Sequence, residues 1–243
     1  MQQYLLFHYG SEDEQMPWEF GPKDGLNFPQ RCLERGLLPD LIPSSGARAL
    51  DLGCAVGRLS FELARYCGQV IGIDFSHSFI ETARTLCREG GLPFQYVECG
   101  RIMRQAVARV PDVDCSRVSF EQGDAQQLRL DLGQFDVVVM ANLLCRLPQP
   151  RVLLQRLPDL VKPGGQLILA SPQSWLESYT SPEHWIGGLS EEASTLDVLK
   201  QLLSSAFEVH HSAELPFVIR EHARKYQWSV AQLSTWLRRK DEP

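Results

Sequence analysis

The segment Leu50-Asp-Leu-Gly-Cys-Ala-Val-Gly57 constrains this chain more than any other. It joins an apolar strand to a helix through a glycine-bearing loop. Glycine there lets backbone come close to a ligand, because no Cβ intervenes. From about Ala47 onward, short apolar runs alternate with stretches of helical periodicity, the pattern of an α/β domain on a mostly parallel sheet. It predicts strands over residues 47–55, 69–75, 117–123, 135–144 and 166–171. Val137, Val138 and Val139 mark the fourth as a central strand buried on both faces.

A helix is expected over 57–67, with Leu59, Leu63 and Cys67 on one face and Gly68 as its stop. A second starts near Ser78, with Glu81 as a capping-box acid, and ends at Gly90-Gly91. A third spans 150–161 and is stopped by Lys162-Pro-Gly-Gly165. A fourth spans 190–206, with Glu191 and Glu192 favourably placed in its first turn. Residues 92–115 interrupt the alternation and read as an inserted hairpin or strand-plus-helix. The runs 207–215 and 226–236 close the sheet as two further strands. Residues 1–46 carry Pro17, Pro22, Pro29, Pro39 and Pro43 among many aromatics. They are too apolar for a tail and read as an arm or lid packed on the domain of 47–243.

Composition narrows the partners. The chain has 243 residues, 44% hydrophobic and 22% charged, with a net charge of -6. Its acidic balance argues against a nucleic-acid partner, whose phosphates need Lys and Arg. No apolar run reaches the roughly 20 residues of a membrane span. The N-terminus has no basic, apolar leader, and none of the seven cysteines sits in a C-x-x-C pair. A reducing cytoplasm is therefore the expected location. No metal-ligand spacing is present, so no metal is expected.

The acids at the strand ends point to a cofactor. Asp74 follows Gly53 by 21 residues and ends the second strand, where a carboxylate can accept both ribose hydroxyls of an adenosine. Asp124 ends the next strand at the same sheet edge. The glycines are spaced G-x-x-x-G with Asp51 before them, whereas a dinucleotide fold uses G-x-G-x-x-G. A carboxylate beside this loop repels phosphates and suits a cationic, amino-acid-bearing ligand. From about Arg31 onward the chain resembles the S-adenosylmethionine-dependent methyltransferases. The resemblance implies a Rossmann-like, seven-stranded sheet with helices on both faces. It implies that Asp51, Gly53 and Gly57, with Cys54 and Ala55 between them, cradle the methionine part. Asp74 would take the ribose, Asp124 and Ala125 the adenine, Phe75 would belong to the same cofactor site, and Asn142 would face the methyl group.

Five further segments are not explained by a cofactor: Tyr4–Gly10 (YLLFHYG), FGP with LNFPQR ending at Arg31, NLLCRLP from Asn142, SPQSWLESYT from Ser171, and IREHARKYQW from Ile219. Together they resemble the methyltransferase of ovothiol biosynthesis, often the C-terminal domain of a thiohistidine-forming sulfoxide synthase. Gln173 stands where that family often carries tyrosine. The resemblance implies methylation of the side-chain-proximal ring nitrogen of 5-thiohistidine to give ovothiol A, by a stand-alone version with a separate synthase as partner. A base or tautomer-fixing acceptor is expected among Tyr9, Glu221 and His222, and a carboxylate-binding fork from Arg146 or Arg220. Arg31 belongs to the substrate set, and Phe28, Trp175 and Tyr179 would enclose the ring. Two alternatives stand beside this: another small amino acid, imidazole or thiol acceptor, or a non-catalytic cofactor-binding partner of a synthase.

Overall fold

The strand–helix alternation builds one seven-stranded sheet in the order β5-β2-β1-β6-β7-β9-β8. The computed structural model describes residues 1–189, 191 and 193–240. Strands β1 (Arg48–Leu52), β2 (Gln69–Asp74), β5 (Val118–Gln122), β6 (Phe135–Ala141) and β7 (Val161–Ser171) run parallel. β8 (Phe207–His222) and β9 (Lys225–Arg238) form one long antiparallel hairpin, joined to β7 through β9. The valine run of β6 lies between β1 and β7 and is fully buried, as its β-branched composition requires. Helices α4 (Arg58–Leu63), α5 (His77–Glu89), α6 (Pro150–Leu160) and α7 (Thr195–Leu203) cover the faces. β1 sits at the switch point, where strand order diverges toward β2 on one side and β6 on the other, so ligands are expected at the carboxyl edge there.

Several boundaries differ from the sequence reading for local reasons. β1 ends at Leu52, because Gly53 (φ +75) and Ala55 (φ 47) turn the chain. The first predicted helix is shorter, α4 ending at Leu63 in looser turns. α5 is capped by Ser76, whose Oγ accepts from the Phe79 N–H at 3.3 Å, while Glu81 pairs forward with Arg84 instead of reaching back. The inserted segment is a hairpin, β3 (Gly91–Cys99) with β4 (Ile102–Arg109). α7 begins at Thr195 behind the capping box of Ser194 and Asp197. Glu191 precedes it in a turn, and Ser190 and Glu192 lie outside the described residues. β8 runs seven residues past the predicted end at Leu215, straight through Pro216. An edge strand accepts proline where the missing N–H faces away from its neighbour.

Residues 1–46 hold three α-helices, α1 (Gln2–Tyr9), α2 (Glu12–Gln15) and α3 (Phe28–Gly36). Leu5, Leu6, Phe7, Phe28 and Leu33 are buried in the same core as β1, β6 and the β8–β9 hairpin. The arm is thus built into the domain's own core. Among the described residues no helix is long and apolar enough to cross a membrane.

Candidate functional site

A cavity of about 850 Å³ opens at the carboxyl edge of β1, β2, β5 and β6, within the size range of small-molecule sites. Its first wall is the loop after β1. The Gly53 and Cys54 N–H groups both donate to the Ile73 carbonyl, at 2.8 and 3.1 Å, strapping the loop to β2. Gly53 holds φ +75, a conformation that favours glycine, and a Cβ there would lie 3.1 Å from the Leu143 side chain. Asp74 ends β2 with both oxygens engaged: Oδ2 accepts from the Ala55 N–H at 2.9 Å and Oδ1 from the Ser76 N–H at 2.8 Å. Each oxygen keeps a second lone pair. Phe75 follows it, exposed at the rim. Asp124 closes its own turn through the Gln126 N–H at 2.8 Å, with Ala125 beside it on the wall.

Asp51 is buried on β1, its Oδ2 accepting from the Ser60 hydroxyl at 2.6 Å. Burial pushes its carboxyl up to about 7, against the pull of Ser60 and helped by nearby Asp74. A buried acid poised there welcomes a cation that keeps it ionised. Cys54 lines the cavity, but burial raises its thiol far above its usual value and keeps it neutral. Asn142 directly follows β6 in the left-handed region (φ 55), which asparagine tolerates better than most residues. Its N–H donates to the Ala170 carbonyl at 2.8 Å, while its buried Oδ1 has no partner among the described residues.

The opposite wall comes from the arm and the β8–β9 hairpin. Tyr4, Phe7 and His8 of α1 and Phe28 of α3 line it. Phe217 pairs with Ser229 and Ile219 with Gln227 across the hairpin, and all four side chains reach the cavity. They share one pleat face. Arg146 closes the mouth, its Nη1 donating to the Ser174 carbonyl at 2.8 Å and its guanidinium 5.0 Å above the Tyr179 ring. Its side-chain hydrogen bonds among the described residues all run through Nη1, leaving Nη2 and Nε as a fork.

Seven expected residues stand elsewhere. Tyr9 turns into the core, its hydroxyl donating to the Val56 carbonyl at 2.7 Å, and burial raises its pKa well above the usual value. Gly57 caps α4 behind the loop, where a Cβ would lie 2.6 Å from the Phe120 ring. Arg31 ties the arm to β8 by donating to the Leu26 carbonyl at 2.7 Å and to the Pro216 carbonyl. Arg220 is on the opposite pleat face from Ile219, paired with Glu98 at 2.6 Å and donating to the Glu14 carbonyl. Glu221 bonds Lys225 and Gln227, which hold its carboxyl below the usual range, so it is a weak base. His222 accepts the Arg224 N–H at the hairpin turn. Trp175 stacks on Trp185 and packs against the apolar cluster that holds Leu153 of α6 and Leu199 of α7. The sequence reading missed Tyr4 and His8, although they lie one helical turn apart on one face.

The atoms present fit an adenosine-bearing sulfonium amino acid: a ribose-height carboxylate, a buried acid for a cation, and an orphaned acceptor at Asn142. Among the described residues no group of three or more His, Cys, Asp and Glu could hold a metal. Residues 50–169 match a family described as "Methyltransferase domain". A ubiquinone biosynthesis O-methyltransferase of Methylococcus capsulatus is 30% identical over 135 residues, 56% of this chain and 47% of that protein. The chain thus spans about half the length of the curated relatives it matches. The N-methyltransferase NodS from Bradyrhizobium japonicum, solved with S-adenosyl-L-homocysteine, superposes with a TM-score of 0.55 over 98% of this chain and 97% of that one, at 18% identity. A methyltransferase structure from Methanosarcina mazei gives 0.57 over 85% of this chain and all of the other, at 21% identity. With the strand order and the edge-lining acids, these likenesses identify residues 50–169 as the core of a class I S-adenosylmethionine-dependent methyltransferase domain.

Proposed function

We propose that the chain methylates the side-chain-proximal ring nitrogen of 5-thiohistidine, giving ovothiol A, with the amino acid supplied by a separate thiohistidine-forming synthase. One observation carries this reading. All five segments that resemble the ovothiol methyltransferases contribute side chains to a single cavity: Tyr4 and His8, Phe28, Arg146, Tyr179, and Ile219 with Gln227. They lie opposite or beside the cofactor loop. When bound, S-adenosylmethionine supplies a methyl group on a positively charged sulfur.

The chain's residues then divide the work. Asp51 faces the methionine ammonium, Asp74 takes the ribose hydroxyls, and Asp124, Ala125 and Phe75 border the purine. The Nη2 and Nε fork of Arg146 takes the acceptor's carboxylate. The Tyr4 and Tyr179 hydroxyls, without a protein partner among the described residues, offer donors to an anionic sulfur. Phe7 and Phe28 keep water from the ring, and fixed orientation supplies much of the rate.

The names of the ubiquinone biosynthesis O-methyltransferases favour a second reading, methylation of an oxygen. The matched family region, however, ends at residue 169 and leaves the arm and the β8–β9 hairpin outside it. Incubation with S-adenosylmethionine and a panel of thiohistidine, histidine, other imidazoles, thiols and catechols tests both readings. Mass spectrometry is expected to find one methyl added to 5-thiohistidine; turnover of a catechol or thiol alone overturns the proposal.

Two predictions arise here. Below pH about 7 Asp51 is protonated in the free site, so binding a cation there requires loss of that proton. Calorimetry is expected to find S-adenosylmethionine bound about tenfold more weakly at pH 6 than at pH 8, one pKa unit below the site costing about 1.4 kcal/mol. Asp51→Asn should flatten that slope, and a slope unchanged in Asp51→Asn contradicts the assignment. Separately, Arg146→Ala should raise KM for the acceptor about tenfold or more, the cost of a charge-assisted pair, with cofactor affinity near normal. Arg146→Lys should rescue in part, because the fork is lost. Weakened cofactor binding instead would move Arg146 to the other half of the site.

A further inference from the structure

Six buried side-chain polar atoms have no hydrogen-bond partner among the described residues, and two belong to residues lining the cavity: Asn142 Oδ1 and His8 Nδ1. Native proteins leave few such atoms unpaired, so a ligand is their natural partner. The two come from opposite walls. Asn142 stands at the end of β6 among the cofactor-binding loops, and His8 projects from α1 on the acceptor side. His8 is held firmly: Arg58 Nη1 donates to its backbone carbonyl at 3.1 Å, and the Phe7 ring packs edge-on at 5.4 Å. Burial, with the Arg58 charge behind it, holds the imidazole pKa down at about 3. The ring is therefore neutral, with one nitrogen bare. It is too weak a base to abstract a proton, but it is a good hydrogen-bond acceptor.

We infer that His8 decides which ring nitrogen of the acceptor is methylated, the bare nitrogen of its neutral ring taking a hydrogen bond from the ring N–H remote from the acceptor's side chain. This rests on the thiohistidine reading above. An imidazole anchored by its carboxylate at Arg146, with one nitrogen toward Asn142, presents its other nitrogen to the arm. Holding the N–H there leaves the proximal nitrogen with its lone pair free. The thiolate carrying a single ring N–H is the form so bound, its other ring proton having gone to solvent. The proximal lone pair forms the new N–C bond, the methyl leaves the sulfonium, and the electron pair of the broken C–S bond stays on sulfur. No proton moves in this step, and the product is a thiolate on an N-methylimidazolium.

The test compares His8→Phe and His8→Gln in the full chain, reading methyl position by NMR alongside kcat, KM and S-adenosylmethionine affinity. His8→Phe is expected to give both ring isomers and to lose tenfold or more in kcat/KM, with cofactor Kd within about twofold. His8→Gln keeps a carbonyl acceptor and should restore most of the single-isomer outcome, which a merely structural role for His8 does not predict. If His8→Phe fails to fold, His8→Leu is read the same way. A single isomer at near wild-type kcat/KM from either apolar variant overturns the inference alone. Failure of the wild-type protein to methylate 5-thiohistidine overturns the acceptor assignment, and this inference with it.

Discussion

Asp74→Ala is expected to weaken S-adenosylmethionine binding by more than tenfold, about 1.4 kcal/mol, in calorimetric titration of the folded variant. The carboxylate has two functions. It presents its free lone pairs at the end of β2, where the proposed ribose hydroxyls would donate, and its Oδ2 pins the Ala55 N–H. Ala55 sits in the left-handed region at φ 47, a conformation that L-residues adopt at a cost. Removing the carboxylate therefore removes the ribose acceptor and frees a strained loop together. Asp74→Asn keeps an oxygen for one of these bonds and should lose less. An unchanged dissociation constant in folded Asp74→Ala contradicts the assignment.

Gly57→Ala should cost stability, with little effect on the ligand. Its φ is +87, and an added Cβ would meet the Phe120 ring at 2.6 and 2.8 Å and the Ala83 Cβ at 3.1 Å. That ring is itself packed edge-on against Phe61, at 5.4 Å between centroids, and has little room to withdraw. Left-handed strain and overpacking together cost about 2–4 kcal/mol. In a chain of this size the melting temperature should fall by about 5–15 °C. An unchanged melting temperature with lost cofactor affinity would return Gly57 to the ligand's side.

These two positions mark how far the sequence alone reaches. Asp51, Gly53, Asp74, Asp124 and Asn142 were legible because each lies at a strand's carboxyl end, and strand ends in such a sheet converge on one edge. Gly57 shares their motif but serves packing, since only the three-dimensional position of Phe120, more than sixty residues on, reveals what a Cβ would strike. The acceptor wall was legible only as a set of segments. Within α1, Tyr9 and His8 are neighbours in sequence yet a helix turns them about 100° apart, one onto the Val56 carbonyl and the other onto the cavity. Within β8, Arg220 and Ile219 fall on opposite pleat faces, and the phase was hidden by Pro216, which reads as a strand end. The arm's aromatics read as an arm or lid packed on the domain, and Leu5, Leu6, Phe7 and Phe28 enter the main core. Deleting the arm therefore tests folding, and point substitutions such as those at His8 test the acceptor.

The measurement closest to the central claim is the ratio of kcat/KM for 5-thiohistidine to that for histidine. The two acceptors share ring, ammonium and carboxylate and differ by one sulfur. A cavity that offers donors to an anionic sulfur leaves them unpaired with histidine, and sites of this kind reject the analogue that lacks the bonding group. The account predicts a ratio of about a hundred or more, roughly 2.7 kcal/mol. Equal efficiencies for the two acceptors would contradict it.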